Sequence, residues 1–432
     1  MTPPSRSTAR TRSDRAPATY ATQAQHADTL RRRGDSAGAI RAFHALTLQH
    51  PTRSDAFSNL GAMLQAAGHP MPALTAIARA IELDPQSVPA LANSAEILKD
   101  FGEWQVVLDT YDAALARTPH APGLRFARGL HLLMLDRWEE GWREHEQRRH
   151  VPDMPLGTTP LRSPVWDGSP LQGRRIMLDG EQGLGDQVMF ARFAAAVAAR
   201  GGEVLLRCGA PLVPLLAGLR GTTQVVSSSD PVPEHDVHAS LMSLPHLLSL
   251  RSSTALDGGA YLTPAGACPD HIRTALSGRS PRVGLVWRGN PQHRNDARRS
   301  IAPELLLPMV TTPGVTFISL QRHDVAAAMP TVLAPHLTDL GPGLATCNDT
   351  AHALCRLDLL VTVDTAVAHI AGALGVPTLL LVPFVPDWRW MTCRADTPWY
   401  HSLTLVRQST IFEWPDVVEA ARLHVAGLGT RP

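Results

Sequence analysis

The sequence predicts a multidomain chain: an all-α solenoid of repeated helical hairpins, followed by an α/β region built from two doubly wound parallel sheets. Two observations carry this prediction. Prolines 51, 85 and 119 and glycines 34, 68 and 102 each recur every 34 residues. Beyond residue 173, short apolar runs ending in glycine or polar loops alternate with helical patterns, which is the signature of βαβ units.

Residues 1–19 are rich in Ser, Thr, Pro and Arg, with Asp14 the one acid. They offer little to bury, so a disordered tail is expected; a transit peptide has similar composition. The array spans 20–149. Three full repeats cover 20–53, 54–87 and 88–121, and 34 residues is the tetratricopeptide (TPR) period. Small residues such as Ala39, Gly61, Ala73, Ala80 and Ala114 let paired helices approach, and each proline ends a hairpin. A partial fourth unit covers 122–149. Its stripe of Trp138, Trp142 and His145 is expected to pack against the next domain. Residues 150–173 hold five prolines and read as a linker.

The first α/β domain is expected at 174–279, with strands at RRIMLDG, EVLLRC and TTQVV and a helix over about 186–200. The second is expected at 280–432, with strands at 283–287, 316–320, 359–363 and 378–382. Its helices are expected near 303–310, 350–356 and 365–374, and a last helix at 414–424 folds back on the first domain. Ligands of such sheets bind at the carboxyl ends of the strands.

Composition narrows the function. The 432 residues are 44% hydrophobic with a net charge of +1, which argues against a nucleic-acid partner. No apolar run has the roughly 20 residues of a transmembrane segment. Five scattered cysteines form no CxxC pair, so neither a zinc site nor a disulfide framework is suggested, and a cytoplasmic protein is expected. Among 40 Lys plus Arg, Lys99 is the single lysine. A phosphate-binding cation beyond the array must therefore be Arg or His, and Arg forks two phosphate oxygens well.

Three strand–loop–helix motifs carry the chemistry. In Gly180–Gln187 (GEQGLGDQ), Gly183 and Gly185 permit tight backbone geometry with free N–H groups. Asp186 then sits in the first helical turn, where it either caps the helix or faces the interdomain cleft. The motif has neither the third glycine of a dinucleotide fingerprint nor the Gly-Lys-Ser/Thr of a P-loop. In Val361–Pro377 (VTVDTAVAHIAGALGVP), Asp364 and Thr365 open a helix whose N-terminus suits a diphosphate. The Asp364 carboxylate opposes phosphate, and caps the helix or bonds a ribose hydroxyl instead. His369 lies one turn on, as a ligand contact or as a core histidine. In Trp287–Ile301, four arginines in a polar loop clamp phosphates or are merely solvated. Gln321 falls at the same sheet edge, as do Trp388, Trp390, Trp399 and Tyr400, which either stack on a base or sugar or fill the core.

GEQGLGDQVMFARF and VDTAVAHIAGALGVP together resemble the two signatures of lipopolysaccharide heptosyltransferase-like glycosyltransferases. With the array, the chain more closely resembles bacterial TPR-containing glycosyltransferases, from about residue 20 to the end. In overall plan it is also similar to O-GlcNAc transferase, with different catalytic motifs. The resemblance implies a GT-B fold of two Rossmann-like domains, acceptor on the first and nucleotide-sugar donor on the second. It implies inverting transfer of a hexosyl or heptosyl group without a cofactor or catalytic metal. Asp186 is then the general base on the acceptor hydroxyl, and Asp186→Asn is expected to leave folding intact. Asp364, Thr365, His369, Ser300 and Gln321 surround the donor. The family's phosphate lysine is absent, so Arg298 or Arg299 takes its place. The acceptor is a protein or glycan, and the concave face of the array suits an extended peptide. The missing lysine also fits a second reading, a catalytically inactive scaffold mediating protein–protein interaction.

Overall fold

The structure is a computed structural model that describes residues 19–152, 154, 156, 161–278, 281–292, 295–322 and 329–429. Apart from Thr19, the tail expected over 1–19 lies outside the described residues, as do His293 and Arg294 of the polar loop. The chain divides into two compact units, up to Pro119 and from His120.

The first unit is a run of antiparallel helices: α1 (Tyr20–Arg32), α2 (Ser36–Gln49), α3 (Ser54–Ala66), α4 (Pro70–Leu83), α5 (Val88–Leu98) and α6 (Trp104–Arg117). Thr19, Asp35 and Ser87 accept backbone N–H bonds as N-caps, which is why the helices start where they do. Gly34, Gly68 and Gly102 turn the chain within each hairpin at φ of 79°, 79° and 72°, where a side chain is strained. Ala27, Ala39, Phe43, Leu46, Ala56, Leu60 and Met63 form one core cluster. At Gly61 a Cβ would lie 3.2 Å from the Ala73 carbonyl oxygen, so the small-residue pattern reflects close helix approach.

The second unit opens with the fourth hairpin, α7 (Pro122–Met134) and α8 (Trp138–His145). The turn between them keeps the 34-residue step: Asp136 occupies the glycine position at φ 63°. An aspartate there is explained by its side chain, which accepts a bond from Ser253 Oγ at 3.0 Å. The hairpin therefore packs with the α/β region. As the sequence suggested, Trp138, Trp142 and His145 are fully buried there.

Two all-parallel sheets follow. The first holds β1 (Arg175–Asp179), β2 (Glu203–Cys208), β3 (Gln224–Ser227) and β4 (Val237–Ser240) in the order β3-β2-β1-β4. The second holds β5 (Arg282–Val286), β6 (Thr316–Ser319), β7 (Leu337–Asp339), β8 (Leu359–Val363), β9 (Thr378–Val382) and β10 (Leu403–Arg407) in the order β10-β9-β8-β5-β6-β7. This is the expected pair of doubly wound lobes. The strands β4, β7 and β10 add to those read from the sequence. The main helices are α9 (Leu184–Ala191), α10 (Cys347–Leu354), α11 (Ala366–Leu374) and α12 (Pro415–Gly429). The linker runs along the exposed side of β4. Trp166 N–H donates to the His238 carbonyl at 2.7 Å and His238 N–H to the Pro164 carbonyl at 3.0 Å, covering that sheet edge.

One expectation is corrected. The last helix does not fold back on the first lobe. Trp414, Val417, Val418, Ala421 and Val425 share a core cluster with Leu285, Phe317, Val361 and Leu381 of the second sheet. That apolar stripe is satisfied within its own lobe. Among the described residues, no helix is long and apolar enough to cross a membrane.

Candidate active site between the two sheets

Strand order fixes where each lobe presents a crevice. In the first sheet the chain runs outward from β1 through β2 to β3, then returns to the other side of β1 as β4. In the second it runs from β5 through β6 to β7, then returns beside β5 as β8 and continues to β10. The reversals lie between β1 and β4 and between β5 and β8, and open α/β sheets take ligands at the carboxyl ends of such strands. The glycine motif follows β1, the polar loop follows β5, and Asp364-Thr365 follows β8.

The first and third of these meet. α9 and α11 pack against each other at their amino-terminal ends, and a Cβ on Gly185 would lie 2.7 Å from His369 Cδ2 and 3.3 Å from Ala366 Cα. Only glycine fits that approach. Gly183 caps α9 in an extended conformation, and its N–H donates to Asp186 Oδ2 at 3.0 Å. Asp186 therefore does cap its helix. Its other oxygen accepts from Arg389 of the second lobe, whose guanidinium also donates to Asp387 at 2.7 Å and lies 4.3 Å over the Trp388 ring. Burial works against the charge on Arg389, but Asp186 and Asp387 outweigh it and hold its pKa above the ordinary value.

Thr365 caps α11 with its backbone extended, and its hydroxyl makes no bond to the helix. Ala368 N–H donates to the Thr365 carbonyl at 3.1 Å, and helix geometry leaves the N–H groups of Ala366 and Val367 to acceptors outside the helix. Arg299 donates to the Asp364 carbonyl at 2.8 Å, placing a guanidinium beside that terminus. Burial, with a contribution from Asp387, pushes the Asp364 carboxyl up to about 6. His369 is buried, shares a 3.0 Å hydrogen bond from Nδ1 to Tyr400 Oη, and stacks on Trp390 at 5.3 Å. Burial, then Arg389, Arg192 and Arg299, hold its pKa well below the usual histidine value. Its partners in the structure are those of a buried side chain, Tyr400 and Trp390.

The remaining candidates divide. Ser300 Oγ accepts from Gly289 N–H at 3.1 Å, and Gln321 Oε1 accepts from the N–H groups of Trp287 and Arg288 at 3.2 and 3.0 Å. Both brace the loop after β5. Arg298 lies 5.4 Å over the Phe412 ring. Trp388, Trp390, Trp399 and Tyr400 are buried and fill the core. Sequence reasoning missed Arg389 and Asp387. The available signal was Asp387-Trp388-Arg389-Trp390, an arginine flanked by two tryptophans with a carboxylate two residues before it.

No protein-family model matches the chain. It is similar to Protein FlbA of Caulobacter vibrioides, at 29% identity over 405 residues, covering 87% of this chain and 67% of that one. Among solved structures it is similar to an O-GlcNAc transferase mutant from Thermobaculum terrenum at 14% identity, covering 95% of this chain and 90% of that chain with a TM-score of 0.35. It is also similar to a glycosyl transferase of family 9 from Veillonella parvula at 11% identity, covering 61% and 99% with a TM-score of 0.48.

Proposed function

We propose that the chain is a glycosyltransferase that moves a sugar from a nucleotide-sugar to a protein or glycan acceptor. The observation that supports this reading is the contact of the α9 and α11 amino-terminal ends at Gly185 and Ala366, the chain neighbours of Asp186 and Thr365. The donor diphosphate is assigned to the α11 N-terminus with Thr365 and Arg299, and the acceptor hydroxyl to Asp186. In the proposed inverting step, Asp186 takes the hydroxyl proton as the acceptor oxygen bonds to the anomeric carbon. The bond to the diphosphate breaks, and the nucleoside diphosphate leaves with the electron pair. A positioned base supplies roughly 10²–10⁴-fold, and the preorganised donors at α11 stabilise the leaving charge. Asp186 becomes available only when Arg389 gives it up, so substrate binding must part that ion pair. The reaction asks for no resident cofactor, and we place it in the cytoplasm.

Calorimetry against UDP-, GDP- and ADP-sugars tests the proposal, with micromolar binding of one of them expected. Both oxygens of Asp186 are engaged, by Gly183 and Arg389, and this favours a second reading, a scaffold without turnover. Absence of binding to every nucleotide-sugar would select it. Under the first reading, removing residues 20–119 impairs acceptor choice more than donor hydrolysis.

A further inference from the structure

The crevice of the first lobe, between the carboxyl ends of β1 and β4, holds a side chain of this chain's own helical extension. Arg148 lies in the 3-10 turn Glu146–His150 that follows α8, and its side chain is wholly buried. From one guanidinium it reaches both strand ends. Nε and Nη2 donate to Glu181 Oε1 at 3.1 and 2.6 Å, just after β1. Nη2 also donates to Ser240 Oγ at 3.3 Å, at the end of β4, and to Ser243 Oγ at 2.7 Å. Nη1 donates to Glu146 at 2.7 Å. Ser240 and Ser243 in turn donate to Glu181 and Glu146. Where the topology of an α/β sheet calls for a ligand, the helical extension supplies a fixed cation.

Glu181 stands between Gly180 and Gln182 in the motif that leads to Asp186. Gln182 has φ 58°, a left-handed conformation that a non-glycine residue holds only when its surroundings impose it. The imposed part is visible on both sides. Gln187 Oε1 accepts from Gly209 N–H at 2.8 Å beyond the loop, and Glu181 is pinned by Arg148 before it. A buried carboxylate in this position is stable only with its cation, so the path of the loop depends on Arg148.

We propose that Arg148 is a positioning residue: acting through Glu181, it sets the glycine loop in the geometry that aims Asp186. The helical extension is thereby a working part of the first lobe's site. This rests on the reading of Asp186 as the base.

The test uses the full chain with Arg148→Met, Arg148→Lys, Glu181→Gln, and Arg148→Met combined with Asp186→Asn. Donor hydrolysis is followed for kcat, nucleoside diphosphate affinity by calorimetry, and hydrogen exchange in the peptide covering 180–187. Arg148→Met is expected to lower kcat at least tenfold with the nucleotide Kd within twofold, and to speed exchange in 180–187 but not in β2. Arg148→Lys, which keeps the charge without the fork, recovers part of the loss. In the Asp186→Asn background Arg148→Met adds no further loss, as residues acting through one another must behave. Unchanged kcat in a folded Arg148→Met protein, or effects that multiply independently, overturns the proposal. Should the chain prove to have no turnover, the exchange readout decides alone: acceleration confined to 180–187 supports positioning, and uniform or absent acceleration refutes it. If Arg148→Met does not fold, Glu181→Gln is read against the same criteria.

Discussion

Arg389 of the second lobe donates to the Asp186 carboxylate of the first, and Asp387 accepts from the same guanidinium. This pair changes what Asp186→Asn is expected to do. The asparagine leaves Arg389 buried with one carboxylate partner fewer, and breaking a buried pair costs about 3 kcal/mol. The variant therefore folds with a lower melting temperature. Turnover falls at least a hundredfold. Steady-state assays beside differential scanning calorimetry check both parts, and retained turnover rejects the base assignment.

Gly185→Ala tests the lobe contact directly. Its Cβ meets His369 at 2.7 Å and the Ala366 backbone at 3.3 Å, and overpacking of this kind costs about 1–3 kcal/mol. Because Ala366 is backbone, the strain is relieved by moving the lobes apart. Thermal unfolding is expected to shift down, and Arg389 is expected to lose its hold on Asp186, seen as faster hydrogen exchange in 183–187. A variant as stable as the parent would mean that the lobes are free to separate.

The pH dependence of stability has two opposed parts. Burial keeps His145 and His369 well below the usual histidine pKa, whereas in the unfolded chain they titrate near ~6.5. The unfolded state then binds more protons as pH falls below that value, and stability drops by up to about 2.7 kcal/mol per pH unit for the two. Asp364 is raised to about 6. Its contribution is present below the ordinary carboxylate pKa and is lost as pH rises through 6, so between these limits it offsets one histidine. Asp364→Asn should steepen the loss of stability on going from pH 6 to pH 4.5. Urea unfolding followed by tryptophan fluorescence measures this, since eight of the nine tryptophans lie beyond residue 120. Equal slopes for parent and variant would contradict the assignment.

Trp142 touches both lobes: its ring is 6.1 Å from Phe190 and 5.4 Å from Trp388. Trp142→Ala is expected to cost about 3–5 kcal/mol. By the same reasoning, a polypeptide starting at residue 120 folds, and one starting at 150 does not. Circular dichroism and solubility of the two fragments decide the matter.

The parts of the fold written in the sequence are those with period or length. The 34-residue step, the apolar runs of β8 and β9, and the glycines before α9 all depend on local patterns. β7 was missed because a strand of three residues carries little alternation, whereas β4 and β10 are as long as strands that were read. The destination of α12 was misread because an amphipathic stripe does not name its partner. Around the candidate site, the positions of Asp186 and Thr365 were legible from their place after β1 and β8. Arg389, Arg148 and Glu181 were not, since each is defined by a partner more than 30 residues away.

The 34-residue step ends in a change of occupation. Gly34, Gly68 and Gly102 make three interchangeable hinges, whereas Asp136 at the fourth uses its side chain to hold Ser253. The first three turns therefore ask only for a backbone that tolerates a left-handed conformation, whereas the fourth also asks for a carboxylate.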